Sequence, residues 1–387
     1  MRVIQKIENQ AFHLTLLFAA ISLLSLNTCN LRKTSKKANS SSYAKGALKI
    51  LENTHTGLNS TAISAAVGID NKIVWANVLG FKDLENRVPA DLETKFRIGS
   101  TSKALTSVAI GRLIQEDRLD LDASVQVYLK DFDKSKPKIT IRQLASHSSG
   151  IRNYKGNEYE NNTQYNSIKE SMEVFLNDTL LFKPGTKFNY STYNYTVLSA
   201  VIEYISQQNF LDHMKKRVFM PLKMNNTTGD YNNKLVENRA KFYVWKTAEK
   251  LFAITEVNNS YKWAGGGFIS TPSDMVKFGN ALLNNKLINP AVTKRLFQPQ
   301  QLSDGKINSM KYGIGWRNDS TSLFNGRIKT QLIHHPGSSI GATSIFLLLP
   351  EYNMTISILS NRDGAYADLT KCAYLLAEYF IESRVVK

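Results

Sequence analysis

The segment Phe96–Ile114, FRIGSTSKALTSVAIGRLI, combines two properties that are unusual in a single helix. After Gly99 its side chains are apolar almost all round, which is typical of a helix in a protein core and not of one on a surface. Yet its first turn carries Ser100 and Lys103, which are three residues apart and therefore share one face of a helix. The sequence predicts a core helix that starts with a serine beside a lysine.

A buried lysine beside a serine can act as a base. Burial penalises the charged ammonium and lowers the lysine pKa, and a shift from about 10.4 to about 7 corresponds to roughly 4–5 kcal/mol. A neutral amine can then accept the serine proton and make the hydroxyl a nucleophile. The alternative is a core helix with an ordinary serine near its N-cap. The same spacing recurs in polar surroundings typical of a solvated surface at Ser42/Lys45, Ser135/Lys138 and Ser303/Lys306.

The composition indicates a large globular protein. The chain has 387 residues, 42% of them hydrophobic, which is enough for one large domain or two lobes. Two cysteines exclude a disulfide framework and a cysteine-based zinc site, and we expect neither a metal nor an organic cofactor. The formal net charge of +17 is spread along the chain without a nucleic-acid motif, so we expect no nucleic-acid partner.

The N-terminus resembles an export signal. Arg2 and Lys6 precede the apolar run Ala11–Leu26, which is short for a membrane span, and Cys29 follows closely. We predict a lipoprotein-type signal over residues 1–28, an acylated Cys29 and a flexible tether over residues 29–42, which would give a membrane-anchored periplasmic or cell-surface protein. An uncleaved N-terminal anchor remains the alternative, because basic residues follow the apolar run.

Strand patterns at both ends of the chain indicate how the remaining domain, residues 43–387, is assembled. Residues 43–117 and 262–387 carry the strands, and residues 118–261 are mainly helical and rich in loops. We predict an α+β fold in which an antiparallel sheet is built from both chain ends, flanked by helices, with the helical lobe inserted. The expected strands are Ala62–Ile69, Ile73–Phe81, Gly266–Ser270, Thr330–His335, Thr343–Leu349 and Met354–Ser360.

Local signals also predict several helix boundaries. Ser42–Leu58 and Tyr366–Ser383 have helical patterns, and Thr271-Pro272-Ser273-Asp274 is a strong helix start. Thr140 and Gln143 form a capping box at the start of a helix that we expect to end near Gly150.

Three further segments could complete a site with the serine and lysine. Tyr190 follows Pro184-Gly185 and precedes a helical run, and a tyrosine at such a junction can relay a proton, although it can equally be a packed aromatic. Of the consecutive His334 and His335, only one can face a cleft if they lie on a strand. Gly337 would let a substrate approach that strand closely. In Ala264–Gly267 a close backbone contact is as plausible as a functional role.

Taken in order, these segments resemble the serine β-lactamase and penicillin-binding protein family, on its class C, D-alanyl-D-alanine peptidase and esterase side. Within it they are most similar to the serine β-lactamase-like proteins. The resemblance implies a β-lactamase/transpeptidase-like fold and an acyl-serine mechanism. It is carried by Gly80–Asp83, Phe96–Lys103, Leu119–Asp122, Leu144–Gly150, Pro184–Thr192, Gly266–Asp274, Tyr312–Trp316 and His335–Pro350.

The resemblance also implies roles for individual residues. Ser100 would be the acylated nucleophile and Lys103 its proton partner. Tyr190 matches the tyrosine of the family's second motif, and whether the lysine or the tyrosine is the general base stays open. The backbone N–H groups of Ser100 and Ser338 would form the oxyanion hole. His335 and Gly337 match the third motif.

Two departures from the family pattern bear on the substrate. Thr192 occupies the position of the asparagine in the usual Tyr-x-Asn motif, and His335 replaces the lysine of Lys-Thr-Gly. The resemblance therefore implies an esterase or peptidase acting on a small ester, amide or peptide, such as one derived from the cell wall, and not an efficient β-lactamase. A penicillin-binding sensor or an assembly-forming structural protein without efficient turnover is the alternative.

Overall fold

A seven-stranded antiparallel sheet organises the part of the chain that the computed structural model describes, which is residues 42–59, 61–130, 132, 136–247, 250–254 and 257–385. The strands, in chain order, are β1 Ile63–Ile69, β2 Lys72–Leu79, β3 Phe81–Asp83, β4 Val88–Pro89, β5 Phe96–Arg97, β6 Thr228–Gly229, β7 Tyr243–Thr247, β8 Lys250–Ala253, β9 Phe268–Ser270, β10 Arg317–Leu323, β11 Ile328–His334, β12 Gly337–Ser339, β13 Ala342–Leu349 and β14 Met354–Ser360.

The order of strands in this sheet is β10-β11-β13-β14-β1-β2, with β12 paired to β13. The N-terminal hairpin β1–β2 therefore lies beside β14, which comes from the other end of the chain. Asp70 and Asn71 make the hairpin turn with positive φ angles of 47° and 64°, a conformation that Asn and Asp tolerate well. The predicted antiparallel sheet from both chain ends is confirmed.

Helices cover both faces of the sheet. The α-helices are α1 Ser42–Thr56, α2 Ser102–Gln115, α3 Val125–Tyr128, α4 Ile141–Ala145, α5 Ile168–Met172, α6 Tyr193–Ser206, α7 Phe210–Met214, α8 Trp263–Gly266, α9 Pro272–Leu283, α10 Pro290–Phe297 and α11 Tyr366–Val385. Helices α1 and α11 pack on one face, and α9 packs on the other. Because both faces are covered, every residue of β1 is buried, which explains its continuous apolar sequence.

The segment that carries Ser100 is the buried element that the sequence predicts, with one difference at its start. Gly99–Thr101 form a 3₁₀ turn, and the α-helix begins at Ser102. Gly99 has φ +48°, and a Cβ there would lie 2.4 Å from the Ser338 carbonyl oxygen. Strand β12 therefore packs directly against the turn, and Ser100 lies in this turn, two residues before the start of α2.

Two predicted boundaries and several elements differ from the sequence analysis. The capping box at Thr140 is present, but α4 ends at Ala145 and not near Gly150, because His147 adopts a left-handed conformation with φ +62°. The hairpin β7–β8 lies in a segment predicted to be helical and loop-rich. Strand β10 and helix α10 were not predicted. Strand β10, RNDSTSL, is polar because it lies at the edge of the sheet.

The predicted signal peptide, Cys29 and almost all of the predicted tether lie outside the described residues. Within the described ranges, no helix has both the length and the apolar character needed to cross a membrane. We keep the division of residues 43–387 into an α/β lobe and a helical lobe as a proposal.

Candidate active site

Lys103 lies beside the Ser100 hydroxyl and is completely buried. Its Nζ is 3.3 Å from Ser100 Oγ. Burial lowers the pKa of Lys103 well below its ordinary value, and the nearby charge of Lys262 lowers it further. Burial therefore favours the neutral amine, which is the state that can accept a proton from the serine.

The other contacts of Lys103 orient this amine. Nζ donates to the Gly265 carbonyl oxygen at 2.6 Å and to Thr192 Oγ1 at 3.3 Å. A neutral amine has two N–H donors and one lone pair, so these two acceptors leave the lone pair free to face Ser100. Gly265 allows this arrangement, because a Cβ there would lie 2.6 Å from Thr192 Cγ2.

Tyr190 lies on the other side of the lysine. Lys103 Nζ is 4.7 Å from the Tyr190 ring centroid, and the Tyr190 hydroxyl is buried without a hydrogen-bond partner among the described residues. Burial raises the pKa of Tyr190 above its usual value, and the Ser100 hydroxyl partly offsets the rise. At neutral pH Tyr190 is therefore a protonated phenol that can donate a proton to a group bound at Ser100.

The Tyr190 ring is held by His147, a contact that the sequence analysis missed. The two ring planes are inclined by 36° with centroids 4.2 Å apart, and His147 Nδ1 accepts a hydrogen bond from the Ser191 N–H at 3.2 Å. Burial lowers the pKa of His147 well below its ordinary value, so the ring is neutral. The one feature of the sequence that could have indicated this contact is the histidine within the segment LASHSSG, residues 144–150.

His335 lies behind Tyr190 and not on the wall of the site. It is 2% exposed, its Nδ1 donates to the Pro336 carbonyl oxygen at 2.8 Å, and its Nε2 accepts from the Tyr312 hydroxyl at 2.8 Å. With both ring nitrogens engaged, His335 supports the aromatic cluster. His334 points away and contacts Asp319. The expectation that His335 contacts substrate therefore has no geometric support, since its ring has no free polar atom to offer.

Gly337 has a packing role that differs from the predicted one. A Cβ at this position would lie 2.0 Å from the Ile98 carbonyl oxygen, so the adjacent space is filled by protein and not open to a substrate. The absence of a side chain lets β12 lie against the segment that leads to Ser100. Thr101 strengthens the same junction, because its hydroxyl donates to the His335 carbonyl oxygen at 2.9 Å. The backbone of Ser338 is thereby held close to the nucleophile turn.

These residues enclose a cavity of about 230 Å³. Ser100, Tyr190, Thr192 and Ser338 line it, as the sequence analysis predicted for a single site, and the described lining contains no acidic side chain. The lining residues that the sequence analysis missed are Asn153, Tyr154, Tyr159, Lys262, Gly265, Gly266 and Ser339. A larger cavity of about 810 Å³ near Tyr128 has no serine in its described lining, so size does not identify the site.

Metal chemistry has no evident centre in the described ranges. No group of three or more His, Cys, Asp or Glu side chains lies close enough there to hold a metal ion.

Comparison with known proteins agrees with the fold. The profile of the family described as Beta-lactamase matches residues 51–380. The chain is 33% identical over 382 residues to the human serine beta-lactamase-like protein LACTB, mitochondrial, covering 76% of this chain and 70% of that protein. This confirms the predicted resemblance.

Two solved structures have the same fold. The D-amino acid amidase from Ochrobactrum anthropi SV3 superposes with a TM-score of 0.75 at 21% identity, covering 89% of this chain and 100% of that chain. A penicillin binding protein from Bacillus halodurans superposes with a TM-score of 0.70 at 23% identity, covering 84% and 97%. At these identities the likeness shows the fold alone, and it confirms the predicted β-lactamase/transpeptidase-like architecture. With the profile match and the human relative, it follows that the chain belongs to the beta-lactamase family.

Proposed function

We propose that this chain is a serine hydrolase that works through an acyl-enzyme on Ser100. The observation that carries the proposal is the fully buried Lys103, whose Nζ lies 3.3 Å from Ser100 Oγ. Removing an amine from water costs free energy that a packing role does not require, whereas a base for a serine needs this neutral state.

The reaction begins with attack of Ser100 Oγ on the carbonyl carbon of the substrate. As the new C–O bond forms, the hydroxyl proton passes to the lone pair of Lys103 Nζ. The tetrahedral intermediate then breaks the bond to the leaving alcohol or amine, which takes a proton from the Tyr190 hydroxyl. Lys103 returns its proton to Tyr190. Water then attacks the acyl-serine by the same proton route in reverse, releasing the acid and regenerating Ser100.

The negative charge that develops on the carbonyl oxygen requires hydrogen-bond donors. We assign this role to the backbone N–H groups of Ser100 and Ser338. The close packing of β12 against the turn at Gly99 supports the assignment, because it holds the two backbones side by side. The roles of these groups rest on geometry together with the family resemblance.

The substrate that we propose is a small ester, amide or peptide, such as one derived from the cell wall. A cavity of about 230 Å³ suits a small acyl group. The Thr192 hydroxyl accepts from Lys103, so it is less available to a substrate amide than the asparagine of the family motif would be. An esterase or peptidase therefore fits better than an efficient β-lactamase.

Export is a separate proposal that rests on the sequence of residues 1–29. The human relative is named as mitochondrial, so family membership does not decide the location. Lipid attachment at Cys29 would be seen as fatty-acid labelling that the Cys29→Ser variant loses, and labelling that persists in this variant would contradict it.

The decisive experiment is mass spectrometry of the intact and digested protein after reaction with a fluorophosphonate. We expect one adduct, on Ser100, and none in Ser100→Ala. An adduct that forms equally in Ser100→Ala would refute the assignment. With a chromogenic ester, we expect continuous Ser100-dependent turnover. A burst without turnover would instead support a penicillin-binding sensor, and concentration-dependent sedimentation of large species without esterase activity would support an assembly protein.

A further inference from the structure

A second buried lysine lines the cavity that contains Ser100. Lys262 is 3% exposed and ends a 3₁₀ turn, Ser260–Lys262, that leads into α8. Its stem passes Gly266, since a Cβ there would lie 4.0 Å from Lys262 Cδ and 3.8 Å from the Gly99 carbonyl carbon. Because Gly266 has no side chain, a small space remains between Lys262 and the 3₁₀ turn that carries Ser100.

The ammonium of Lys262 is surrounded by aromatic rings and has little hydrogen bonding. Nζ lies 4.8 Å from the ring centroids of Tyr159 and Tyr261 and 5.4 Å from that of Tyr154. Its hydrogen-bond acceptor in the described part of the chain is the Tyr159 carbonyl oxygen, at a long 3.5 Å. Three ring faces favour a cation there but leave its N–H groups unsatisfied.

The buried carboxylate that acts electrostatically on Lys262, Asp230, is hydrogen-bonded to other groups. Asp230 accepts hydrogen bonds from Arg97 Nε, Arg239 Nε and Asn259 Nδ2, each at 2.6 Å. Its single negative charge is shared by two arginines, and no ion pair joins it to Lys262 in the described residues. A buried ammonium without a counter-ion is costly unless a ligand supplies the missing charge.

We propose that Lys262 binds a carboxylate or an equivalent anionic group of the substrate, so that the site prefers acyl compounds that carry a negative charge beside the scissile carbonyl group. The inference rests on the proposed function and specifies its substrate class. It also accounts for the third motif, because His335 provides no fixed charge and Lys262, on a different element, provides one on the same cavity.

The electrostatics of the cavity agree with this inference. Lys262 is the cationic side chain in the described lining, and this lining contains no acidic side chain to compete with an anion. Burial lowers the pKa of Lys262 to about 7, Arg97 lowers it as well, and Asp230 acts in the opposite direction. Lys262 is thus partly protonated at neutral pH, and a bound anion would favour its charged form.

The test compares two esters with the same leaving group and the same five-carbon acyl chain. The 4-nitrophenyl monoester of glutaric acid is anionic, and 4-nitrophenyl pentanoate is neutral. The quantity measured is the ratio of kcat/KM for the anionic ester to that for the neutral ester. We expect Lys262→Met to lower this ratio by about 10- to 100-fold, which is the size of a lost charge-assisted hydrogen bond. Lys262→Arg should keep most of the wild-type preference for the anionic ester, because it retains the positive charge.

A matched control is Lys234→Met. Lys234 Nζ also lies over a tyrosine ring, 3.6 Å from the Tyr231 centroid, but outside the cavity of Ser100. This variant should leave the ratio unchanged. If a folded Lys262→Met enzyme loses activity equally on both esters, Lys262 is structural and the inference is wrong.

The pH dependence of the kcat/KM ratio in the wild-type protein is an independent test. The ratio should be highest below pH 7 and should fall as the pH rises and Lys262 loses its proton, whereas a ratio that is flat from pH 6 to pH 9 would contradict the inference. Ser100-dependent hydrolysis of the pentanoate ester without any effect of Lys262 on the ratio refutes this inference alone. Absence of Ser100-dependent acylation by either ester refutes the proposed function as well.

Discussion

At the scale of single residues, the site depends on how the protein keeps one amine uncharged. Lys103 is buried at the start of α2, and its two strongest contacts are neutral oxygens, Gly265 O and Thr192 Oγ1. Neither supplies the negative charge that would stabilise an ammonium. The Ser-x-x-Lys spacing and the apolar surroundings were visible in the sequence, because both are properties of one short segment. The partners of Lys103 were not, because they come from distant loops.

Two adjacent glycines give a paired test of this packing. An alanine Cβ at Gly265 would lie 2.6 Å from Thr192 Cγ2 and 3.0 Å from the Thr192 carbonyl oxygen, whereas at Gly266 its nearest neighbour would be the Gly99 carbonyl carbon, 3.8 Å away. We expect Gly265→Ala to destabilise the protein by about 1–3 kcal/mol and to slow acylation of Ser100. Gly266→Ala should change the free energy of unfolding by less than about 0.5 kcal/mol.

Urea unfolding and fluorophosphonate labelling rates of the two variants check this prediction. Equal stability of the two variants would show that the Gly265–Thr192 contact is not tight, and the orientation of Lys103 would then need another explanation.

At the scale of elements, the end of α4 positions the second motif. His147 follows the helix in a left-handed conformation, which turns its ring under Tyr190 and brings Nδ1 to the Ser191 N–H. The capping box at the start of α4 was predictable because both capping residues lie within one turn. The end was not, because the ring contacts that stabilise it involve residues about 40 positions later.

This arrangement predicts how stability depends on pH. Burial lowers the pKa of both His147 and His335 below 6.5, so both rings are neutral in the folded state. Below about pH 6.5 the two histidines bind protons in the unfolded chain but stay neutral in the folded chain. Each histidine should therefore reduce the free energy of unfolding by up to about 1.4 kcal/mol per pH unit as the pH falls. Above pH 6.5 the two histidines no longer reduce the free energy of unfolding.

Urea unfolding at pH 7.5 and pH 5.5 measures this loss. The His147→Asn variant, in which asparagine tolerates the positive φ and can accept from the Ser191 N–H, should lose less stability between these two pH values than the parent protein does. A loss of the same size in the parent and the variant would mean that His147 is protonated in the folded state.

At the scale of the whole molecule, the site is formed where the two ends of the chain meet. The sheet order brings β12 and β13 beside the turn at Gly99, so Ser338 reaches a nucleophile more than two hundred residues earlier in the sequence. The strand patterns at both chain ends made this arrangement predictable. Strand β10 escaped prediction because an edge strand needs no apolar alternation.

The aromatic side of the cavity is the part of the site that the sequence did not reveal. Tyr154, Tyr159 and Tyr261 lie in loops and short turns of the part predicted to be helical and loop-rich, and they meet around Lys262 only in three dimensions. No periodic pattern links residues in loops of this kind. The sequence therefore indicated that Ser100, Lys103 and Tyr190 lie close together, but it did not indicate the aromatic residues that surround Lys262.

The most direct measurement is the rate of Ser100 acylation by a fluorophosphonate as a function of pH, in the parent protein and in Lys103→Met. If Lys103 is the neutral base, the rate should reach its maximum well below pH 10.5, because burial lowers the pKa of the lysine. Lys103→Met should be slower by about 10²- to 10⁴-fold. A rate that continues to rise towards pH 10.5, or a Lys103→Met variant that acylates as fast as the parent, would contradict this account.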